Sequence, residues 1–373
     1  MTRFPFILGI VMLPTLLAQN TNASLEELKK KATAGDRGAQ YSLGEDYRLG
    51  LGGAAPDGKE AERYYKLAAE QGMPEAQHAL AALYFEGEDI PRNYPEALRW
   101  FRAAAAQGLP ESQFYMGVMY DGGLGVAQDY KEAARWYKIT AELKMPDAEF
   151  NLGVMYANGL GVEKNYAEAA RLYRLAAEQR GISEAEFNLA GLYDAGLGVA
   201  QDRKEAARWY RDAAGQGHAG AQFNLGVMYA SGQGVPQDLA EAAQWYRKAA
   251  DQGAPEAAYN LGVMYAEGQG VAQDFEEAVR WYRSAAERGD RDAQFNLGGM
   301  YATGRGVARD RVDNDGEAYK WMTLAAAGGD TDARKALDRL GARMNASQVE
   351  AAKRRAAEWK PCGSKEDCDA RLK

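Results

Sequence analysis

The chain has 373 residues, of which 46% are hydrophobic and 26% are charged, the balance of an ordinary globular protein. Its formal net charge is −8. Nucleic acids and anionic membrane surfaces both attract basic proteins, so we expect neither of them as a partner.

The first 23 residues have the layout of a secretory signal peptide. Arg3 precedes an apolar stretch, residues 4–17, that is too short to span a membrane as a helix, and small and polar residues follow it. Cleavage after Ala18 or Ala23 would send the protein to the periplasm or out of a bacterial cell, with no stable membrane insertion afterwards. The alternative is an uncleaved anchor or a buried N-terminal helix.

Residues 24–35 are predicted to form an N-terminal capping helix, and residues 36–329 contain an internal repeat. The repeat is marked by a segment Leu-Gly-x-x-Tyr that recurs every 36 or 37 residues. We call the second position of this segment the anchor. The anchors are Gly44, Ala81, Gly117, Gly153, Ala190, Gly226, Gly262 and Gly298.

Each repeat is predicted to contain two helices. In the first helix, a small residue lies five positions before the anchor, Leu or Met one before, and Tyr three after, so these residues share one helix face and should be core. A small anchor allows a neighbouring helix to approach closely. Pairs such as Asp129 with Glu132 and Asp274 with Glu277 predict a capping box at the start of the second helix.

The third repeat departs from the pattern at its end. There the sequence Leu143-Lys144-Met145 lacks the usual Gly, which predicts a changed turn to the next repeat.

Residues 330–360 are predicted to form C-terminal capping helices, one over 332–340 and one over 348–359 after an N-cap at Ser347. Residues 361–373 form a polar tail with the only two cysteines, Cys362 and Cys368. If the protein is exported, an oxidising compartment could join them in a local disulfide. Two exposed free thiols are the alternative.

The repeat resembles the Sel1-like repeat, a relative of the tetratricopeptide repeat. The resemblance rests on the run Ala-x-x-x-Leu-Gly-x-x-Tyr-x-x-Gly-x-Gly-Val, followed by Asp-x-x-x-Ala-x-x-Trp-Tyr. It implies an all-α fold, an α/α superhelical solenoid of about eight helix-turn-helix repeats with capping helices. The first helices would line its concave side.

One face of the first helices is the candidate binding surface. Three positions before the anchor the residue is usually aromatic, and two before it is often Asn. We call these rows the aromatic stripe and the asparagine ladder. They comprise Phe114, Phe150, Phe187, Phe223, Tyr259 and Phe295, and Asn151, Asn188, Asn224, Asn260 and Asn296. In related repeats such a face lines a groove that binds an extended peptide or a partner helix. Alternatively, the rings fill space between first helices and the Asn side chains bond internally.

The sequence contains none of the common hydrolase signatures, no metal-ligand pattern and no genuine phosphate-binding loop. We therefore expect no enzyme activity and no cofactor. The leading hypothesis is a scaffold, adaptor or regulator of the bacterial cell envelope that binds a protein or peptide partner through its concave face. The alternatives are a modulator of cell-wall or exopolysaccharide enzymes and a β-lactamase-like enzyme of this family.

Overall fold

The computed structural model of the chain describes residues 25–52, 54–308 and 314–372. The predicted signal segment, 1–23, lies outside the described residues. The chain divides into two compact units, Met1–Asn165 and Tyr166–Lys373, which we call the N-terminal and C-terminal units. All regular structure in the described residues is helical.

The N-terminal unit contains eight of the helices described. They are α1 (Leu25–Thr33), α2 (Arg37–Leu49), α3 (Gly58–Glu70), α4 (Pro74–Glu86), α5 (Tyr94–Ala106), α6 (Pro110–Gly122), α7 (Tyr130–Glu142) and α8 (Pro146–Asn158). Helices α2 and α3, α4 and α5, and α6 and α7 pair as hairpins, and each hairpin packs on the next. Helix α1 packs on α2 and buries Leu28 and Ala32 there.

The C-terminal unit contains twelve described helices. They are α9 (Tyr166–Arg180), α10 (Ser183–Ala195), α11 (Arg203–Gly215), α12 (Ala219–Ser231), α13 (Leu239–Asp251), α14 (Pro255–Glu267), α15 (Phe275–Glu287), α16 (Arg291–Thr303), α17 (Asn314–Ala327), α18 (Thr331–Gly341), α19 (Ala346–Glu358) and α20 (Lys365–Leu372). Helices α10 to α17 form four hairpins in chain order. Helices α18 and α19 both pack on α17.

The small anchor admits a ring from the second helix, as the sequence predicts. In the seventh repeat, a Cβ atom added to Gly262 would lie 2.6 Å from Cδ1 of Tyr282. Tyr137 and Tyr246 stand in the same way against Gly117 and Gly226. Larger anchors would push the two helices of each hairpin apart.

The predicted core face of the first helices is correct for two of its three positions. The small residue and the Leu or Met, such as Ala221 and Leu225, are buried, but only Tyr301 among the tyrosines is buried, and the others are half-buried. Methionines two after the anchor, such as Met228, take the buried place. Each Tyr instead extends to the helix edge, where the hydroxyl of Tyr229 accepts a hydrogen bond from Arg211.

The predicted capping boxes are half correct. Asp129 accepts hydrogen bonds from the backbone N–H groups of Lys131 and Glu132, so it is the N-cap. The reciprocal bond is not the one predicted, because the Asp129 N–H donates to the carbonyl of Tyr120. The Glu132 carboxylate, 3.5 Å from Arg135, forms an ion pair along the helix instead.

The turn after α7 keeps its shape without glycine. Lys144 has φ +60°, and it is the only residue other than glycine with positive φ among the described residues. Gly108 and Gly253 hold the equivalent positions of other repeats, with φ +89° and +95°. The predicted change of this turn is therefore wrong, because Lys144 adopts the left-handed conformation itself.

The last helices differ from prediction at the N-cap of α19. Asn345, not Ser347, caps this helix, since its side chain accepts from the Gln348 N–H while the Gln348 side chain accepts from the Asn345 N–H. The polar tail then folds back on α15. The N–H of Cys362 donates to the carbonyl of Glu287, and the indole of Trp359 donates to the Glu287 carboxylate.

None of the helices in the described residues has the length and apolar character needed to cross a membrane.

Candidate functional site

The aromatic stripe and the asparagine ladder lie on the first helices, and every one of their residues is half-buried. Phe114, Phe150 and Asn151 belong to the N-terminal unit and the other eight to the C-terminal unit. Half-burial fits both predicted roles, because one edge of a ring can pack inside while the other faces solvent.

The inner edges of the aromatic rings pack on the second helices. The ring centroid of Phe114 lies 5.7 Å from that of Tyr137, and Phe187 lies 5.8 Å from Tyr210. Phe223 with Tyr246 and Tyr259 with Tyr282 repeat the arrangement at 5.8 and 6.1 Å. These distances are those of favourable aromatic pairs. The stripe is therefore held in a fixed orientation by the core beneath it.

The asparagine ladder interacts with the same tyrosines, but across the boundary between repeats. Burial raises the pKa of Tyr173, and hydrogen bonding with Asn188 of the following repeat lowers it. Burial raises the pKa of Tyr246 to about 12, and Asn260 lowers it in the same way. Internal bonding thus occupies at least one hydrogen-bonding position of the Asn188 and Asn260 amides.

Where the following repeat lacks this Asn, the aromatic residue of the second helix has another partner. Tyr65 donates its hydroxyl proton to the Glu45 carboxylate at 2.5 Å. Phe101, which has no hydroxyl, stacks on Tyr115 at 4.7 Å, and Tyr115 occupies the position of the Asn. Where the second helix has Phe101 instead of Tyr, Tyr115 takes the place of the Asn. This pairing indicates that contact between repeats is one role of the position two before the anchor.

The two histidines have separate structural roles. His78 occupies the stripe position of the second repeat, where burial lowers its pKa to about 4, and its Nδ1 lies 2.9 Å from the Ser112 hydroxyl oxygen. His218 caps α12 by accepting from the Ala221 N–H, and its ring stacks on Phe187 at 4.4 Å.

A row of glutamines, most of them buried, was not predicted. It lies four residues before the anchor, and its members are Gln40, Gln77, Gln113, Gln222 and Gln294. Each donates to a backbone carbonyl eight residues earlier, which lies in α1 for Gln40 and in the second helix of the preceding repeat for the others. Gln71, Gln107 and Gln252, which cap second helices, donate in turn to Gln40, Gln77 and Gln222. We call the row the glutamine ladder. The recurrence of Gln at one register was the signal that could have revealed it.

Glutamate takes the ladder position in the fourth and fifth repeats. Glu149 and Glu186 are 1% and 5% exposed. Glu186 accepts from the Gln216 amide at 2.8 Å. Burial, with a contribution from Asp212, raises the pKa of Glu186 to about 7. This shift marks a carboxyl group placed where the fold favours a neutral side chain.

The two cysteines belong to the tail of the C-terminal unit, where Cys368 is buried. The structure joins Cys362 and Cys368 in a disulfide with Cα atoms 5.3 Å apart. Within the described part of the chain, no three His, Cys, Asp or Glu side chains form a group that could hold a metal ion.

Comparison with known proteins identifies the same repeat. A model of the Sel1 repeat matches eight segments, 38–73, 74–109, 110–145, 146–180, 183–218, 219–253, 255–290 and 291–330. No curated protein matches the chain.

Two similar crystal structures have the same fold. One is c5321, a protective antigen present in uropathogenic Escherichia coli strains that displays an SLR fold; it is 34% identical, with a TM-score of 0.80 over 94% of this chain and 72% of that one. The other is a Sel1 repeat protein from Oxalobacter formigenes, also 34% identical, with a TM-score of 0.64 over 84% and 89% of the two chains. Sel1-repeat proteins are generally protein-interaction scaffolds. The chain belongs to the Sel1-repeat family.

Proposed function

We propose that this protein is a non-catalytic scaffold or regulator that binds an extended peptide segment of a partner protein along the first-helix face. The aromatic stripe is the observation that carries the proposal. It recurs at one register with half-exposed rings, and the tyrosines beneath hold those rings in place. Rigid aromatic groups give contact area at low entropic cost, and neighbouring amides can pair with a peptide backbone.

The glutamine ladder supports the same proposal. Buried bonds such as Gln222 to the Ala214 carbonyl, 3.1 Å, fix each first helix against the preceding repeat. A binding surface on helices that are already fixed loses little conformational entropy when a partner docks.

The test is a pair of substitutions in the stripe, Phe187→Leu with Phe223→Leu. Leucine keeps much of the packing on Tyr210 and Tyr246 but removes the ring face offered to a partner. For a peptide selected on the native protein, we expect affinity to fall at least about tenfold. Thermal unfolding should change little by comparison.

The matched control is Tyr229→Leu, which removes a half-buried ring from another side of α12. It should leave peptide affinity unchanged. Equal loss of affinity in the control, or a stripe variant that loses affinity only as far as it unfolds, would refute the proposal.

We further propose that the protein acts in the cell envelope after export. The signal-like segment 1–23 and the cysteine pair of the tail support this. N-terminal sequencing of the protein from its native host should find a chain that begins at residue 19 or 24. A chain that keeps its first residues would contradict export by cleavage.

A further inference from the structure

Charge is divided unequally between the two helices of the repeats. The eight first helices contain fourteen acidic and three basic residues, whereas the second helices contain seventeen acidic and twenty basic residues. The acidic excess of the molecule therefore belongs to the helices that bear the stripe. Many acids of the second helices pair with Arg along the same helix. Several acids of the first helices lie in a first turn, where the helix dipole favours them, but their side chains still add negative charge to these helices.

In the C-terminal unit, acidic residues share the face of the stripe. Glu184, Glu256 and Asp292 lie six positions before the anchor, which is three before the aromatic residue and four before the Asn of the same helix. Residues spaced by three and four lie on one side of a helix. Carboxylates thus flank the half-exposed rings of α10, α14 and α16, whereas α12 has Gly220 at this position.

These carboxylates affect the pKa values of groups on the same face as the stripe. Burial is the main cause that raises the pKa of Tyr259, and the negative charges of Asp292 and Asp290 raise it further. Asp290 is affected in turn: burial is the main cause that raises its pKa, and Asp292 and Glu256 add to the increase. Carboxylates from two successive repeats therefore act on the same stretch of surface.

Two basic residues next to these carboxylates in sequence, Arg288 and Arg291, donate hydrogen bonds to neutral oxygen atoms. Arg291, the one basic residue on α10, α12, α14 and α16, donates to the carbonyl of Gly328. Arg288, which follows α15, donates to the carbonyl and hydroxyl oxygens of Ser284.

We infer that the first-helix face of the C-terminal unit takes a basic extended peptide, one in which Arg or Lys alternates with apolar residues. The inference rests on the proposed function and names the chemistry of the partner. Apolar side chains would lie against Phe187, Phe223 and Tyr259, and cationic groups would meet the carboxylates or the ring faces.

The experiment is selection of peptides from a random dodecapeptide library on the full-length protein. Each selected peptide is then measured against the native protein and the Phe187→Leu, Phe223→Leu variant. The expected result is a set of peptides whose binding depends on the stripe. These peptides should be enriched in Arg and Lys and depleted in Asp and Glu. Stripe-dependent peptides that are neutral or acidic would overturn the inference and leave the proposed function standing. A selection that gives no stripe-dependent peptide would overturn both.

Charge-neutralising variants test the named carboxylates. Glu256→Gln with Asp292→Asn should weaken binding of a selected basic peptide by about threefold to tenfold, and the difference should shrink as salt rises from about 0.1 M to about 1 M. Glu276→Gln, which removes an exposed acid from the second helix α15, is the control and should have no effect. Equal effects of control and test variants would contradict the assignment.

Discussion

Lys144 shows how strongly the repeat imposes its backbone on a single residue. Every other described repeat has glycine at this turn, and Lys144 takes a left-handed φ of +60° in its place. An L residue with a Cβ atom pays about 1 kcal/mol for this conformation. The turn is kept because the packed helices on either side, α7 and α8, fix its ends.

We predict that Lys144→Gly stabilises the protein by about 1 kcal/mol, since glycine adopts positive φ without strain. The measurement is the midpoint of urea unfolding. The reciprocal change, Gly108→Ala, should destabilise by a similar amount, because no atom lies near enough to a new Cβ at Gly108 to add a packing effect. Loss of stability in Lys144→Gly would show that the Lys144 side chain stabilises the turn.

Single residues also mark where sequence reasoning succeeds. The N-cap role of Asp129 could be predicted because an Asp side chain acts on its own backbone neighbours, a local effect. The ion pair of Glu132 could not be predicted, because the Asp129 N–H, which a capping box would pair with Glu132, donates to the Tyr120 carbonyl instead. The same limit applies to Ser347, since Asn345 is an equally good cap and nothing local decides between them.

At the level of helices, the contacts between repeats depend on polar groups that periodicity does not reveal. A buried Gln four before the anchor reads as one polar residue on an otherwise apolar face. Its partners, such as the Ala214 carbonyl and Gln252, come from neighbouring helices. The recurrence of the residue could be seen in the sequence, but its pairing required the structure.

The glutamine ladder gives a pH-dependent prediction at Glu186. Its folded pKa, about 7, is raised above the unfolded value, so its favourable contribution is complete at acidic pH and is lost as the pH rises through 7. Glu186→Gln removes the ionised carboxylate. We expect a gain of about 1–3 kcal/mol at pH 8 and little change at pH 4, measured by urea unfolding at both values.

The control for this prediction is the opposite change in a neighbouring repeat, Gln222→Glu. It should destabilise the protein, and more strongly at pH 8 than at pH 4, because an ionised carboxylate cannot donate to the Ala214 carbonyl. A stability difference for Glu186→Gln that does not vary with pH would show that the carboxyl titrates normally in the fold.

The C-terminal tail is the element whose contacts could be predicted least well from the sequence. It appears in the sequence as a polar segment, yet its backbone and Trp359 both bond to Glu287 of α15. Arg371 adds an ion pair with the same carboxylate at 3.4 Å. These contacts are distant in sequence, so composition alone gives no sign of them.

On the scale of the whole molecule, repetition makes the fold easier to predict than the function. Eight copies of one motif predict the same pair of helices eight times, and within each unit the hairpins described pack on their neighbours. The stripe could also be recognised from the repetition in the sequence. Part of its role is internal, however, as the pairing of Phe223 with Tyr246 shows. Part of the acidic excess of the first helices has an internal role, as the buried Glu149 and Glu186 show, but Glu256 and Asp292 are exposed beside the stripe, where a partner can meet them.

The most direct test of the account is amide hydrogen exchange of the full-length protein with and without a stripe-dependent peptide. Binding along the first-helix face predicts slower exchange in α10, α12, α14 and α16 when the peptide is bound. The second helices α11, α13 and α15 should change little. Slower exchange confined to the second helices or to the C-terminal tail would contradict the proposed binding face.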